Sequence, residues 1–246
     1  MKLIVPCRTT QGLHQTSIIG DKLRSVTVDS VDAALSDIPS GATIMIGGFG
    51  TAGQPIELIE GLIRREARDL TIVNNNAGNG QVGLALLIQS GCVRKMICSF
   101  PRQVDSHIFD EAYRAGRIEL EVVPQGTLAE RIRAAGAGIG GFFTPTSYGT
   151  ILAEGKESRV INGRGYVFET PLHADFAMIK AHRADPNGNL DYRKTARNFG
   201  PIMATAATTT IAQVERIVPL GAIDPEHVVT PGIFVDRIFC TGEVTS

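Results

Sequence analysis

Apolar residues in the first half of this chain gather into short runs, and between the runs they recur every three or four positions. Thr43 to Ile46, Leu70 to Val73, Val93 to Cys98 and Ile118 to Val123 are such runs, and each predicts a strand. The intervening spacing predicts helices over 55–66, 81–90 and 105–115. In the first helix Ile56, Ile59 and Ile63 share a face with Leu58 and Leu62 beside them; in the third, Ile108 pairs with Ala112 and Phe109 with Tyr113, and Gly116 supplies the stop. Thr127 and Glu130 read as a capping box ahead of Leu128 and Ile132. Strands alternating with helices predict an α/β fold, an open and largely parallel sheet with helices on both faces.

The second half is irregular and mixed. Asn162-Gly163 between Arg159–Ile161 and Tyr166–Phe168 predicts a hairpin, and Asp185-Pro186-Asn187-Gly188 predicts a turn between Phe176–Ala181 and Leu190–Arg193. Thr208–Val218 and Ile233–Cys240 are further strand candidates. With no internal repeat and no linker, residues 25–241 read as one compact domain. Residues 1–24 mix Lys2, Cys7, Arg8, His14 and Lys22 and suggest a loosely ordered extension, not a secretory leader; residues 242–246 read as a tail.

The 246 residues are 43% hydrophobic, enough for a substantial core. A formal net charge of -1 gives no footprint for nucleic acid or a membrane surface, and no segment approaches the roughly 18 apolar residues of a membrane span. Cys7, Cys92, Cys98 and Cys240 form no C-x-x-C pair. That argues against a zinc site or disulfide framework and for a reducing cytoplasm.

The segment richest in chemistry is GGFGTAGQP at 47–55, directly after the apolar run ending at Ile46. Its glycines let a ligand approach bare backbone N–H groups, Pro55 suits a first helical turn, and the helix terminus favours an anion. Gly48, Gly50 and Gly53 match the G-x-G-x-x-G dinucleotide pattern. That fingerprint needs an acidic residue about 20 positions on, at the next strand's tip. Here the tip reads Val73-Asn74-Asn75-Asn76, and Asp69 lies at the strand's wrong end, so the nicotinamide reading is not favoured. No Walker-type loop is present.

Four strings occur in order: GGFGTAGQP, NNNAGNG at 74–80, VVPQGTLAERIRAAGAGIGGFFTPTSYGT at 122–150 and YRKTARNFGPIMA at 192–204. Together they resemble the α chain of family I CoA-transferases, over about residues 25–240. One departure is Ser40 before Gly41, where the family usually has Asp or Asn; Ser serves the same turn-capping role. The resemblance implies an open α/β fold and an α2β2 heterotetramer, with α and β forming the active site together. The activity it implies is CoA transfer from succinyl-CoA to 3-oxoadipate, in aromatic compound degradation. The route is ping-pong through a glutamate on the β subunit, with anhydride and glutamyl-CoA intermediates and no metal or redox cofactor. Acetoacetate-using transfer, an enzyme of the same broad fold acting on sugar phosphates, an acyl-CoA hydrolase and a non-catalytic acyl-CoA- or sugar-phosphate-sensing domain are the competing readings.

Within that frame Gly47, Gly48, Phe49, Gly50 and Gly53 are candidates for the CoA and oxyanion loop, against a plain strand-to-helix turn. Asn75, Asn76 and Gln125 are candidate substrate donors, because open α/β sheets bind ligands at strand carboxyl ends; loop-capping amides are the alternative. Arg102 is a candidate partner for the distal carboxylate that 3-oxoadipate has and acetoacetate lacks, against a surface arginine near a helix start. His173 reads as a turn or packing histidine. Glu57, Glu60, Glu154 and Glu169 do not match the family's nucleophile motif, so no catalytic residue is assigned in this chain.

Overall fold

The computed structural model describes residues 25–103 and 105–244. The first half alternates β1 (Thr27–Val28), α1 (Val31–Ala34), β2 (Thr43–Ile46), α2 (Ile56–Arg64), β3 (Leu70–Val73), α3 (Leu84–Gln89), β4 (Val93–Cys98), α4 (His107–Arg114), β5 (Glu119–Val122) and α5 (Gln125–Gly136). A small antiparallel sheet follows, made of β6 (Phe142–Thr144), β7 (Ser158–Ile161) and β8 (Arg164–Glu169) in the order β6-β8-β7. The chain then returns through β9 (Ala174–Ala184), β10 (Leu190–Asp191), α6 (Gly200–Ala206), β11 (Ala207–Ile217) and β12 (Arg237–Val244). The main sheet runs β1-β12-β11-β9-β2-β3-β4-β5, parallel at every pairing on this path, with β10 antiparallel to β9.

Both faces of this sheet are covered, which is why its central strands read as continuous apolar runs. Ile44, Ile46, Ile72, Met96 and Cys98 join one core with α1 to α4. Their alternating neighbours Met45, Val73 and Ile97 join a second core with α5 and α6. From β2 the strand order steps outward through β3, β4 and β5, and from β9 it steps the opposite way. Right-handed crossovers therefore put α2 to α4 on one face and α6 on the other. The reversal between β2 and β9 leaves a crevice outside the strand carboxyl ends, where such sheets take ligands.

The turn signals of the second half correspond to real turns. Asn162 and Gly163 adopt φ of 49° and 77° between β7 and β8, and Asp185 accepts the Asn187 and Asn189 N–H groups between β9 and β10. Three expectations need correction. Helix α5 starts at Gln125 behind Pro124, with no side-chain cap, so Thr127 sits inside the first turn and does not close a capping box. The segment before Arg237 is a 3-10 turn at Gly232–Phe234, and β12 continues past Cys240 to pair Glu243 with Arg216 and Val244 with Ile217. Residues 242–244 thus belong to the sheet and are no tail. Residues 1–24, the expected loose extension, lie outside the described residues.

Glu121 fastens the free flank of the sheet. Its carboxylate accepts from Lys95 Nζ on β4 at 2.6 Å and from Arg131 Nη1 on α5 at 3.2 Å. Burial raises its pKa, but the Lys95 and Arg131 hydrogen bonds outweigh that effect and hold it below the ordinary carboxylate value. A depressed folded pKa stabilises above the unfolded value and is lost as pH falls through the folded one. Glu121→Gln should therefore lower the urea midpoint at pH 7 while flattening its decline below about pH 4.5. An acid limb identical to that of the parent protein would remove this assignment.

Candidate active site

Loops after β2, β3 and β4 and the start of α5 converge at the sheet's carboxyl edge. They enclose a groove of about 650 Å³ lined by Phe49, Asn75, Ser99, Phe100, Arg102, Gln103 and Gln125. The neighbouring strand order thus unites residues far apart in sequence. A second hollow, about 490 Å³, lies on the other side of Phe49, against Ala52, Thr195 and Asn198.

The three consecutive asparagines have three different tasks. Asn74 is fully buried; its Nδ2 donates to the Ile46 carbonyl at 2.5 Å and its Oδ1 accepts the Asn76 N–H at 2.9 Å, tying the end of β3 to that of β2. Asn76 is also buried, with Oδ1 on the Gly78 N–H at 3.1 Å, so it builds the loop and does not line the groove. Asn75 alone reaches the groove wall. Its Oδ1 accepts from Ser99 Oγ at 2.7 Å and from Gln125 Nε2 at 2.8 Å. With the oxygen held twice, the amide orientation is set and Nδ2, which has no partner among the described residues, is left to donate. Ser99, Phe100 and Gln103 were not legible as site residues, because only the β3–β4 pairing brings them beside Asn75.

The glycine loop differs from expectation in which donors it offers. Gly47 N–H is taken by the Met178 carbonyl at 2.9 Å, Gly48 N–H by Asn198 Oδ1 at 3.1 Å and Phe49 N–H by the Ala52 carbonyl at 3.0 Å. The N–H groups of Gly50, Thr51 and Gly53 have no partner in this turn among the described residues. Glycine is required here for close approach instead. A Cβ on Gly53 would lie 2.5 Å from the Ala196 carbonyl oxygen, at a φ of +79°. Asn198 fastens the whole turn, since Nδ2 also donates to the carbonyls of Ala52 at 3.0 Å and Thr195 at 2.9 Å. Nothing in its local sequence marks that role, which depends on a contact 150 positions away.

No carboxylate lines the groove among the described residues. Glu57, Glu60 and Glu154 are exposed elsewhere, and His173 is exposed outside the groove. Glu169 is buried against Lys156 Nζ at 2.6 Å. Cys98 ends β4 behind the groove, and burial pushes its thiol up to about 12, so it is no thiolate nucleophile at neutral pH. No helix of the described residues is long and apolar enough to cross a membrane, and they hold no cluster of ligands suited to a metal ion.

These features coincide with a known family. The model of the coenzyme A transferase family matches residues 28–241. The A chain of the 3-oxoadipate CoA-transferase of Pseudomonas putida is 68% identical over 212 residues, 86% of this chain and 92% of that one. Its namesake from Acinetobacter baylyi is 65% identical over 205 residues, 83% of this chain and 90% of that one. Among solved structures, an Escherichia coli acyl-CoA transferase superposes with a TM-score of 0.79 at 22% identity, covering 90% of this chain and 47% of that one. The chain thus spans about half the length of that structure, whose likeness establishes the fold alone. With its open parallel sheet and a match running through both halves, the chain belongs to the coenzyme A transferase family.

Proposed function

We propose that this chain is the α component of a 3-oxoadipate CoA-transferase, active in the cytoplasm as an α2β2 heterotetramer with a β component that supplies the attacking glutamate. It would move CoA from succinyl-CoA to 3-oxoadipate, releasing succinate and 3-oxoadipyl-CoA. The observation that carries this reading is a groove at the carboxyl edge of the sheet, lined among the described residues by amides and one guanidinium but no carboxylate, in a chain 68% identical to such a component.

The chemistry explains the furnishing. The partner's glutamate attacks the thioester carbonyl, and the tetrahedral adduct expels CoA as thiolate, leaving a mixed anhydride. The thiolate then attacks the glutamyl carbonyl and expels succinate, leaving a glutamyl-CoA thioester; 3-oxoadipate reverses both steps. Each step passes through a tetrahedral oxyanion, which needs preorganised donors. Asn75 Nδ2, with its oxygen held by Ser99 and Gln125, is such a donor. Neutral amides stabilise developing charge without forming an ion pair that would quench the nucleophile. Acyl exchange among thioester, anhydride and carboxylate changes no oxidation state, so the reading requires neither metal nor redox cofactor.

The test is to treat the two-chain protein with succinyl-CoA and weigh each chain. The expected result is a CoA-sized adduct on the partner chain that 3-oxoadipate discharges as 3-oxoadipyl-CoA. An adduct on this chain, or discharge by acetoacetate but not 3-oxoadipate, would overturn it.

A further inference from the structure

We infer that Arg102 grips the carboxylate that the acid substrate keeps throughout the reaction, and that Asp110 positions Arg102 for it. This deepens the CoA-transfer reading above and rests on it.

A carboxylic acid entering this groove has one carboxylate that becomes a thioester and loses its charge. Neutral donors suit that end, because they serve the anion, the oxyanion and the neutral product in turn. Asn75 and Gln125 provide them. A dicarboxylic acid also has a second carboxylate whose charge persists, and a permanent anion calls for a permanent cation. Arg102 is the one ionisable side chain among the described lining residues; Phe49, Asn75, Ser99, Phe100, Gln103 and Gln125 are all neutral. It lies three positions beyond Ser99, whose hydroxyl holds Asn75, so the loop from Ser99 to Arg102 joins the reacting end of the groove to a charged end.

The guanidinium is already oriented. Its Nε donates to Asp110 Oδ1 at 2.6 Å, in the first turn of α4. Neither Nη has a partner among the described residues. The edge formed by the two Nη groups is therefore open, and that edge matches a carboxylate bidentately. Asp110 also faces Arg114 Nη2 at 3.9 Å, so Arg102, Asp110 and Arg114 together retain one net positive charge for an incoming anion. A monocarboxylic 3-oxo acid such as acetoacetate has nothing to place there.

The experiment uses the two-chain protein with succinyl-CoA as donor and compares 3-oxoadipate with acetoacetate as acceptor. Arg102→Gln should raise KM for 3-oxoadipate by about tenfold to a hundredfold, the scale of a lost bidentate charge-assisted contact. Its kcat/KM for acetoacetate should stay within about twofold, which also shows that the variant folds. Arg102→Lys should recover part of the loss, because it restores the charge without the fork. Asp110→Asn should raise KM for 3-oxoadipate severalfold at unchanged kcat; no change would remove Asp110 from the proposal. An equal loss for both acceptors with Arg102→Gln would overturn it, as would a change confined to KM for succinyl-CoA, which would instead mark a contact to the donor thioester alone. Failure of the unaltered protein to use 3-oxoadipate would bring down the functional reading first and this inference with it.

Discussion

Purified without a partner, this chain should form no 3-oxoadipyl-CoA above background, and adding the β component should raise the rate by roughly 10⁵-fold or more, the scale on which losing a covalent nucleophile falls. The expectation follows from where the carboxylates lie. Glu57, though near the glycine loop, is exposed on α2 and hydrogen-bonded to Gln213. Glu169 is locked between Lys156 and Arg131. Among the described residues none lines the groove, and neither does a histidine that could activate the Ser99 hydroxyl, which already donates to Asn75. A coupled assay with the single chain, then with increasing amounts of its β partner, reads the effect directly. Turnover by the single chain at a rate near that of the pair would end the shared-site account.

Adjacent asparagines should separate chemistry from folding. Asn75→Ala in the two-chain enzyme should lower kcat by about 10²–10³, as loss of a preorganised donor does, while costing only about 1 kcal/mol of stability. Asn74→Ala should do the reverse at the level of this chain. It strips the Ile46 carbonyl and the Asn76 N–H of buried partners, at a cost of about 1–3 kcal/mol seen in the denaturant midpoint. Equal kcat losses with unchanged stability in both variants would contradict this division of labour within the loop.

How much was legible in the sequence depended on range. Strands β2, β3 and β4 were readable with their bounds, because burial on both faces leaves unbroken apolar runs. The Asn162-Gly163 hairpin was readable because the turn demands positive φ at both positions. Helix α6 was not, since Gly200-Pro201 precedes a short stretch whose packing against α5 no local period reveals. At the site, motif strings located Phe49, Asn75 and Gln125, and the distal carboxylate of 3-oxoadipate pointed to Arg102; all four converge on one groove. They could not separate Asn75 from Asn76, because the difference lies in which side chain the loop turns inward. Nor could they show that Gly47 and Gly48 spend their N–H groups on Met178 and Asn198, residues from the other half of the chain.

The seating of β2 between β3 and β9 has a consequence for biosynthesis. During translation β2 to β5 can pair as they emerge, but the opposite edge of β2 must wait for Phe176 to Met178, more than a hundred residues later. A nascent chain therefore presents a bare, apolar strand border to the crowded cell for many seconds, an invitation to mispairing that chaperones acting at the ribosome are suited to shield.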